Sequence, residues 1–86
     1  MSRQRSMETI LADEFVSIGE LVRLTDSRYS TLKYYTEEGM LPFEQAEENL
    51  TRRYRRVETV ALILRIRTMK SQGMSVPQMK EALLQR

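Results

Sequence analysis

The stretch "SIGELVRLTDSRYSTLKYYTEEGMLP", residues 17–42, constrains the fold more than any other part of the chain. It opens on a capping-box pattern, in which Ser17 can accept from the amide three residues on while Glu20 reaches back. Ile18, Leu21, Val22 and Leu24 follow at helical spacing, so a short helix covers roughly 17–24. Gly19 in its first turn allows close approach of a neighbour. "TDS" at 25–27 breaks the pattern and offers N-cap residues. A second helix then runs over about 27–38, with Leu32 and Tyr35 inward and Lys33 and Tyr34 leaning out. Gly39 stands where a left-handed residue closes a helix, and Pro42 stops it. Two short helices joined by a three-residue turn make a helix-turn-helix candidate.

Beyond Pro42 the helical period lapses. Residues 41–55, "LPFEQAEENLTRRYR", contain turn formers around Asn49 and suit a small two-stranded hairpin anchored by Phe43 and Tyr54. The period returns at Val57 and runs to Gly73. "SVPQMKEALL" then reads as a further helix, with Ser75 as N-cap, Pro77 in its first turn, and Val76, Met79 and Leu83 inward. The expected fold is mainly α: a winged helix-turn-helix with four short helices and a small two-stranded β-hairpin wing. It would span residues 15–86, with residues 1–14 a flexible N-terminal segment in which "ILADEF" is the stretch able to pack. At 86 residues this is one domain with a small core of about a dozen side chains, including Leu21, Leu32, Leu41, Ile63, Ile66 and Met79. "VALIL" at 60–64 is apolar all round for more than a turn. A core on one face leaves some of it for another cover, such as a second subunit or a missing segment.

The chain has no cysteine and no histidine. That removes disulfides, thiol chemistry, nearly all transition-metal sites and the commonest general base, so no cofactor or metal is expected. Glu37 and Glu38 diverge on a helix and cannot cooperate as an acid–base pair. Gly19, Gly39 and Gly73 are scattered and form no phosphate loop. This inventory argues against an enzyme. With no run of eighteen apolar residues and no signal-peptide core, the expectation is a cytoplasmic protein that does not enter a membrane.

The net charge of +2 hides an uneven distribution. Residues 44–48 carry three glutamates, and residues 52–56, "RRYRR", carry four arginines. A focused basic stripe points to a polyanion partner. On the second helix, Arg28, Ser30, Thr31, Lys33 and Tyr34 form an outward face suited to base edges and phosphates, against the plainer reading of a solvated surface. Arg52, Arg53, Tyr54 and Arg55 are the candidate contacts of a wing that grips phosphates outside the groove. In a strand, Arg53 and Arg55 share one face while Arg52 and Tyr54 share the other, so the four arginines cannot all meet one phosphate row unless the strand ends near Tyr54. Their alternative partners are Glu44, Glu47 and Glu48 across the hairpin. Three glutamates would repel DNA, so the hairpin's first strand or tip should point away from it.

The order of features resembles the N-terminal DNA-binding domain of the MerR family of bacterial transcription regulators. "SIGELVRLT", "STLKYYTEEGMLP", "RRY" and "MKSQGMSVPQMKEAL" carry the likeness, which covers about residues 15–84. The resemblance implies that the helix bearing Tyr34 and Tyr35 enters the major groove of double-stranded DNA. It implies contacts from Thr31, Lys33, Tyr34 and Tyr35, with Tyr35 also at the helix–wing junction and Arg53 of the wing gripping phosphate. Ser30 stands where the family usually has a basic residue, and Asp26–Ser27 where it usually has a glycine–hydrophobic turn; both departures bear on the target sequence. Family members continue into a dimerisation helix, so the resemblance implies a homodimer as the functional form and a chain that is an excised domain or a short stand-alone member. Two other readings remain open at this point: an architectural DNA binder of the excisionase, partition or nucleoid type, and a helical protein-interaction module.

Overall fold

The computed structural model describes residues 4–84. In chain order it contains α1 (Met7–Ala12), β1 (Phe15–Val16), α2 (Ile18–Thr25), α3 (Tyr29–Glu37), β2 (Tyr54–Arg55), α4 (Arg56–Ser71) and α5 (Val76–Leu84). The expected capping signals operate. Ser17 and Glu20 close a complete capping box on α2. Gly39 takes φ +79° after α3, and its amide reaches the Thr36 carbonyl while that of Met40 reaches Tyr35. This pair of bonds is a Schellman closure, which satisfies carbonyls that the helix end would otherwise leave orphaned. Gly73 closes α4 in the same way, with bonds to Lys70 from its own amide and to Met69 from that of Met74. Ser75 and Gln78 form a second box at the start of α5.

The turn between α2 and α3 is built differently from the expectation that "TDS" caps the second helix. Asp26 adopts the left-handed conformation, φ 51° and ψ 48°. Aspartate is one of the few residues that visit this region routinely. The Ser27 hydroxyl is engaged by Thr25 at 2.6 Å and by the Arg67 guanidinium at 2.9 Å, so it is unavailable as a cap. The N-cap position of α3 falls instead to Arg28, which makes no side-chain capping bond. Arg67 also donates to the Thr25 carbonyl at 2.7 Å, so α4 holds the turn from outside.

The wing is smaller than a two-stranded hairpin over 41–55 would be. Glu44 and Arg53 form a single antiparallel bridge with two backbone bonds of 2.8 Å. Residues 45–50 pair no further, as expected of a stretch rich in glutamate and asparagine, which are depleted in strands. The regular ladder lies elsewhere: β2 runs antiparallel to β1, with Phe15 opposite Arg55 and Val16 opposite Tyr54.

That pairing draws in the N-terminal segment expected to be flexible. Ser6 caps α1, a helix beyond the four anticipated, and Ile10 is completely buried. Arg5 makes a bidentate fork to Glu20, 2.6 and 2.7 Å, and a third bond of 2.6 Å to Asp13. These hydrogen bonds hold the carboxyls of Glu20 and Asp13 below their ordinary range and raise the pKa of Arg5. Apolar burial by Ile10 and this ion-paired clamp are why residues 5–14 pack. Residues 1–3 of that segment, and 85–86 at the other end, lie outside the described residues.

The core gathers Leu21, Leu32, Tyr35, Leu41, Ile63, Ile66, Met69 and Met79, as anticipated, together with the expected hairpin anchor Tyr54, and adds Ile10, Val16 and Met40. Val60 and Leu83 pack against its edge. Within "VALIL", Ile63 is buried and Leu62 partly covered, while Leu64 stays 47% exposed. No helix among the described residues is long and apolar enough to cross a membrane.

Candidate nucleic-acid interface

The adjacent tyrosines of α3 divide as neighbours 100° apart on a helix must. Tyr35 is buried in the core, and Tyr34 is 48% exposed, its ring 5.8 Å from that of Tyr35. The outer face of α3 then has two adjacent rows. Ser30 and Tyr34 are exposed on one, with half-buried Thr31 beside them. This row borders a hollow that also reaches Lys70 and Ser75. Tyr29 and Lys33, one turn apart, are exposed on the other row. They line a cleft whose far wall is the wing, at Thr51 and Arg52. Exposed Arg28 stands at the head of the helix, where the first amides lack a side-chain cap and the helix dipole favours an anion.

The arginines of "RRYRR" separate according to strand alternation. The Arg52 guanidinium carbon sits 4.6 Å from the centroid of the Phe43 ring. Arg53 and Arg55 stack instead on Phe15, at 4.8 and 5.2 Å, on the opposite face of the strand from Tyr54. Arg55 is further engaged by Glu14 at 3.0 Å and Glu44 at 3.6 Å, so the cross-hairpin ion pairing considered from the sequence occurs at Arg55. Among the described residues, Arg28, Lys33, Arg52 and Arg53 form no ion pair within the chain.

Two candidate contact residues are removed from the surface. Tyr54 is fully buried, and its hydroxyl lies 3.0 Å from Thr36 Oγ1. A phenol in that position cannot present itself to a phosphate; it joins the wing to α3. Tyr35 packs in the core, and the helix–wing junction assigned to it is made by Thr36 and Tyr54. The structure therefore brings Ser30, Thr31, Lys33, Tyr34 and Arg52 to the surface of α3 and its cleft. Arg53 and Arg55 lie on the sheet face around Phe15. Sequence reasoning missed Tyr29, which the one-turn spacing to Lys33 could have found. It also missed Lys70, foreshadowed only by the basic excess after Arg65.

A helix-turn-helix whose second helix exposes such a face, flanked by a small β wing, defines a winged helix-turn-helix domain. Residues 16–86 match the family model described as MerR HTH family regulatory protein. The chain belongs to the MerR family, a family of non-catalytic regulators, and a general DNA-binding, transcription-regulatory role comes with that membership. Neither the curated proteins nor the solved structures gave a significant match.

Proposed function

We propose that this chain is a cytoplasmic, sequence-specific regulator of transcription that lays α3 in the major groove of double-stranded DNA and sets the wing on the adjoining phosphates. The observation that carries this reading is the cleft between α3 and the wing, where Tyr29 and Lys33 face Arg52 across one opening. A lysine, a phenol and a guanidinium converging on one cleft, with no carboxylate lining it, suit DNA, with Arg52 on the wing side toward a phosphate and Lys33 on the helix side toward a base edge. Ser30, Thr31 and Tyr34 on the next row supply short polar groups and a hydroxyl toward base edges and phosphate. Lys33 and Arg28 are the residues of this face able to pair with guanine. Arg53, stacked on Phe15 on the far side of the strand, adds cationic charge there. The functional form is a homodimer reading two half-sites.

The test is fluorescence anisotropy of the chain on the DNA upstream of its own gene and on a scrambled duplex, across a salt series. With four to six phosphate contacts, the logarithm of the binding constant should fall against that of salt with a slope of about −4 to −5. Preference for the native duplex that survives physiological salt supports a sequence-specific regulator. Steeply salt-dependent binding without preference favours an architectural DNA binder. No binding at low salt overturns the DNA reading and favours a protein-interaction module.

A further inference from the structure

Arg52 is the first residue outside the wing's backbone pairing, since the ladder ends at the bridge between Glu44 and Arg53. A long cationic side chain at such a position ordinarily samples many rotamers. Here it is half-buried, its guanidinium laid over the Phe43 ring at 4.6 Å. Phe43 in turn packs on Tyr54, with ring centroids 6.1 Å apart and planes inclined at 51°. The Tyr54 hydroxyl meets Thr36 Oγ1, which donates to the Leu32 carbonyl at 2.9 Å. An unbroken run of contacts thus leads from the backbone of α3 to the cation at the mouth of the cleft.

We propose that Phe43 is a positioning residue for DNA binding, holding the Arg52 guanidinium at a set place beside α3. This inference rests on the DNA reading above. A guanidinium stacked on an aromatic face is attracted by the ring's quadrupole, while its N–H edges still point outward in plane. It can therefore donate a bidentate pair to a phosphate without leaving the ring. Rotamer freedom that would be lost on binding is already reduced in the free protein, which is the benefit of preorganisation. The Phe15 stack does not serve in the same way. It holds two guanidiniums, one of them claimed by Glu14 and Glu44, on the other face of the strand.

The experiment measures duplex affinity and thermal unfolding of the wild-type chain, Phe43→Leu, Phe43→Tyr, Arg52→Ala and the Phe43→Leu/Arg52→Ala double variant. Phe43→Leu should weaken binding about threefold, equally on native and scrambled duplexes, since the contact is to phosphate. Phe43→Tyr, which keeps the ring, should bind as the wild type does. In the Arg52→Ala background, Phe43→Leu should add nothing. Additive losses, or a tyrosine variant as weak as the leucine one, would overturn the proposal. If Phe43→Leu melts below the assay temperature, Arg52→Lys reads the same contact by keeping the charge and losing the planar stack. It should lose about twofold to threefold at an unchanged salt slope, and undiminished affinity would overturn the proposal. A wild-type chain that binds no duplex at low salt overturns the DNA reading itself, and this inference with it.

Discussion

The Tyr54 hydroxyl lies 3.0 Å from Thr36 Oγ1, and this buried hydrogen bond ties the wing strand to α3. Because Thr36 Oγ1 already donates to the Leu32 carbonyl, it accepts the phenolic proton. Removing the phenol oxygen therefore leaves no donor stranded. Tyr54→Phe should destabilise the domain by about 1 kcal/mol. The loss should appear as a lower urea midpoint at constant slope, and an unchanged midpoint would show that the bond contributes nothing net.

The Arg5 clamp makes stability depend on acid. Arg5 hydrogen bonds are the leading cause of the depressed carboxyl pKa values at Glu20 and Asp13. A folded-state pKa below that of the unfolded chain gives stability that is fully present above the unfolded value. It is lost as pH falls through the folded one. Melting temperature should hold between neutrality and about pH 4.5, then decline. Arg5→Ala should lower it near neutral pH and flatten the acid decline, because the same carboxyls would titrate closer to their unfolded values. Parallel curves for the two proteins would contradict this account.

Ile10 is fully buried yet comes from the N-terminal segment. Ile10→Ala should cost about 2–5 kcal/mol, the range for a large aliphatic truncated in a core that cannot fully relax. Denaturant unfolding measures it directly. A loss well below 1 kcal/mol would mean that α1 docks without supporting the fold.

Contacts to phosphate and to bases should separate in the binding data. Arg52→Ala should weaken native and scrambled duplexes alike and reduce the salt slope by about one. Lys33→Ala and Arg28→Ala should instead change preference, each costing about 1–3 kcal/mol on the native site where it reads a base. Uniform weakening by either would reassign that residue to the backbone.

Legibility in the sequence followed the range of the forces involved. Ser17 with Glu20, Gly39, Gly73 and Ser75 announced helix ends because capping satisfies backbone groups within a few residues. The same local geometry made Tyr34 and Tyr35 part company, and the alternation of a strand separated Arg53 and Arg55 from Tyr54. The sequence by itself determined those boundaries, the helix-turn-helix and the outward face of α3.

Tertiary structure alone decided how the pieces meet. Strand pairing recruited Phe15–Val16 as the partner of Tyr54–Arg55, bringing Glu14 and Arg55 together across 41 positions of chain. Burial, together with the Thr36 contact, decided between the two roles the sequence allowed Tyr54, making it a core anchor and not a surface contact. The phenylalanines sorted the arginines, Phe43 taking Arg52 toward α3 and Phe15 taking Arg53 and Arg55 away. None of this has a local signature. A stack or a ladder forms between side chains that only the folded backbone brings within reach, and their identities in sequence are compatible with several such partners.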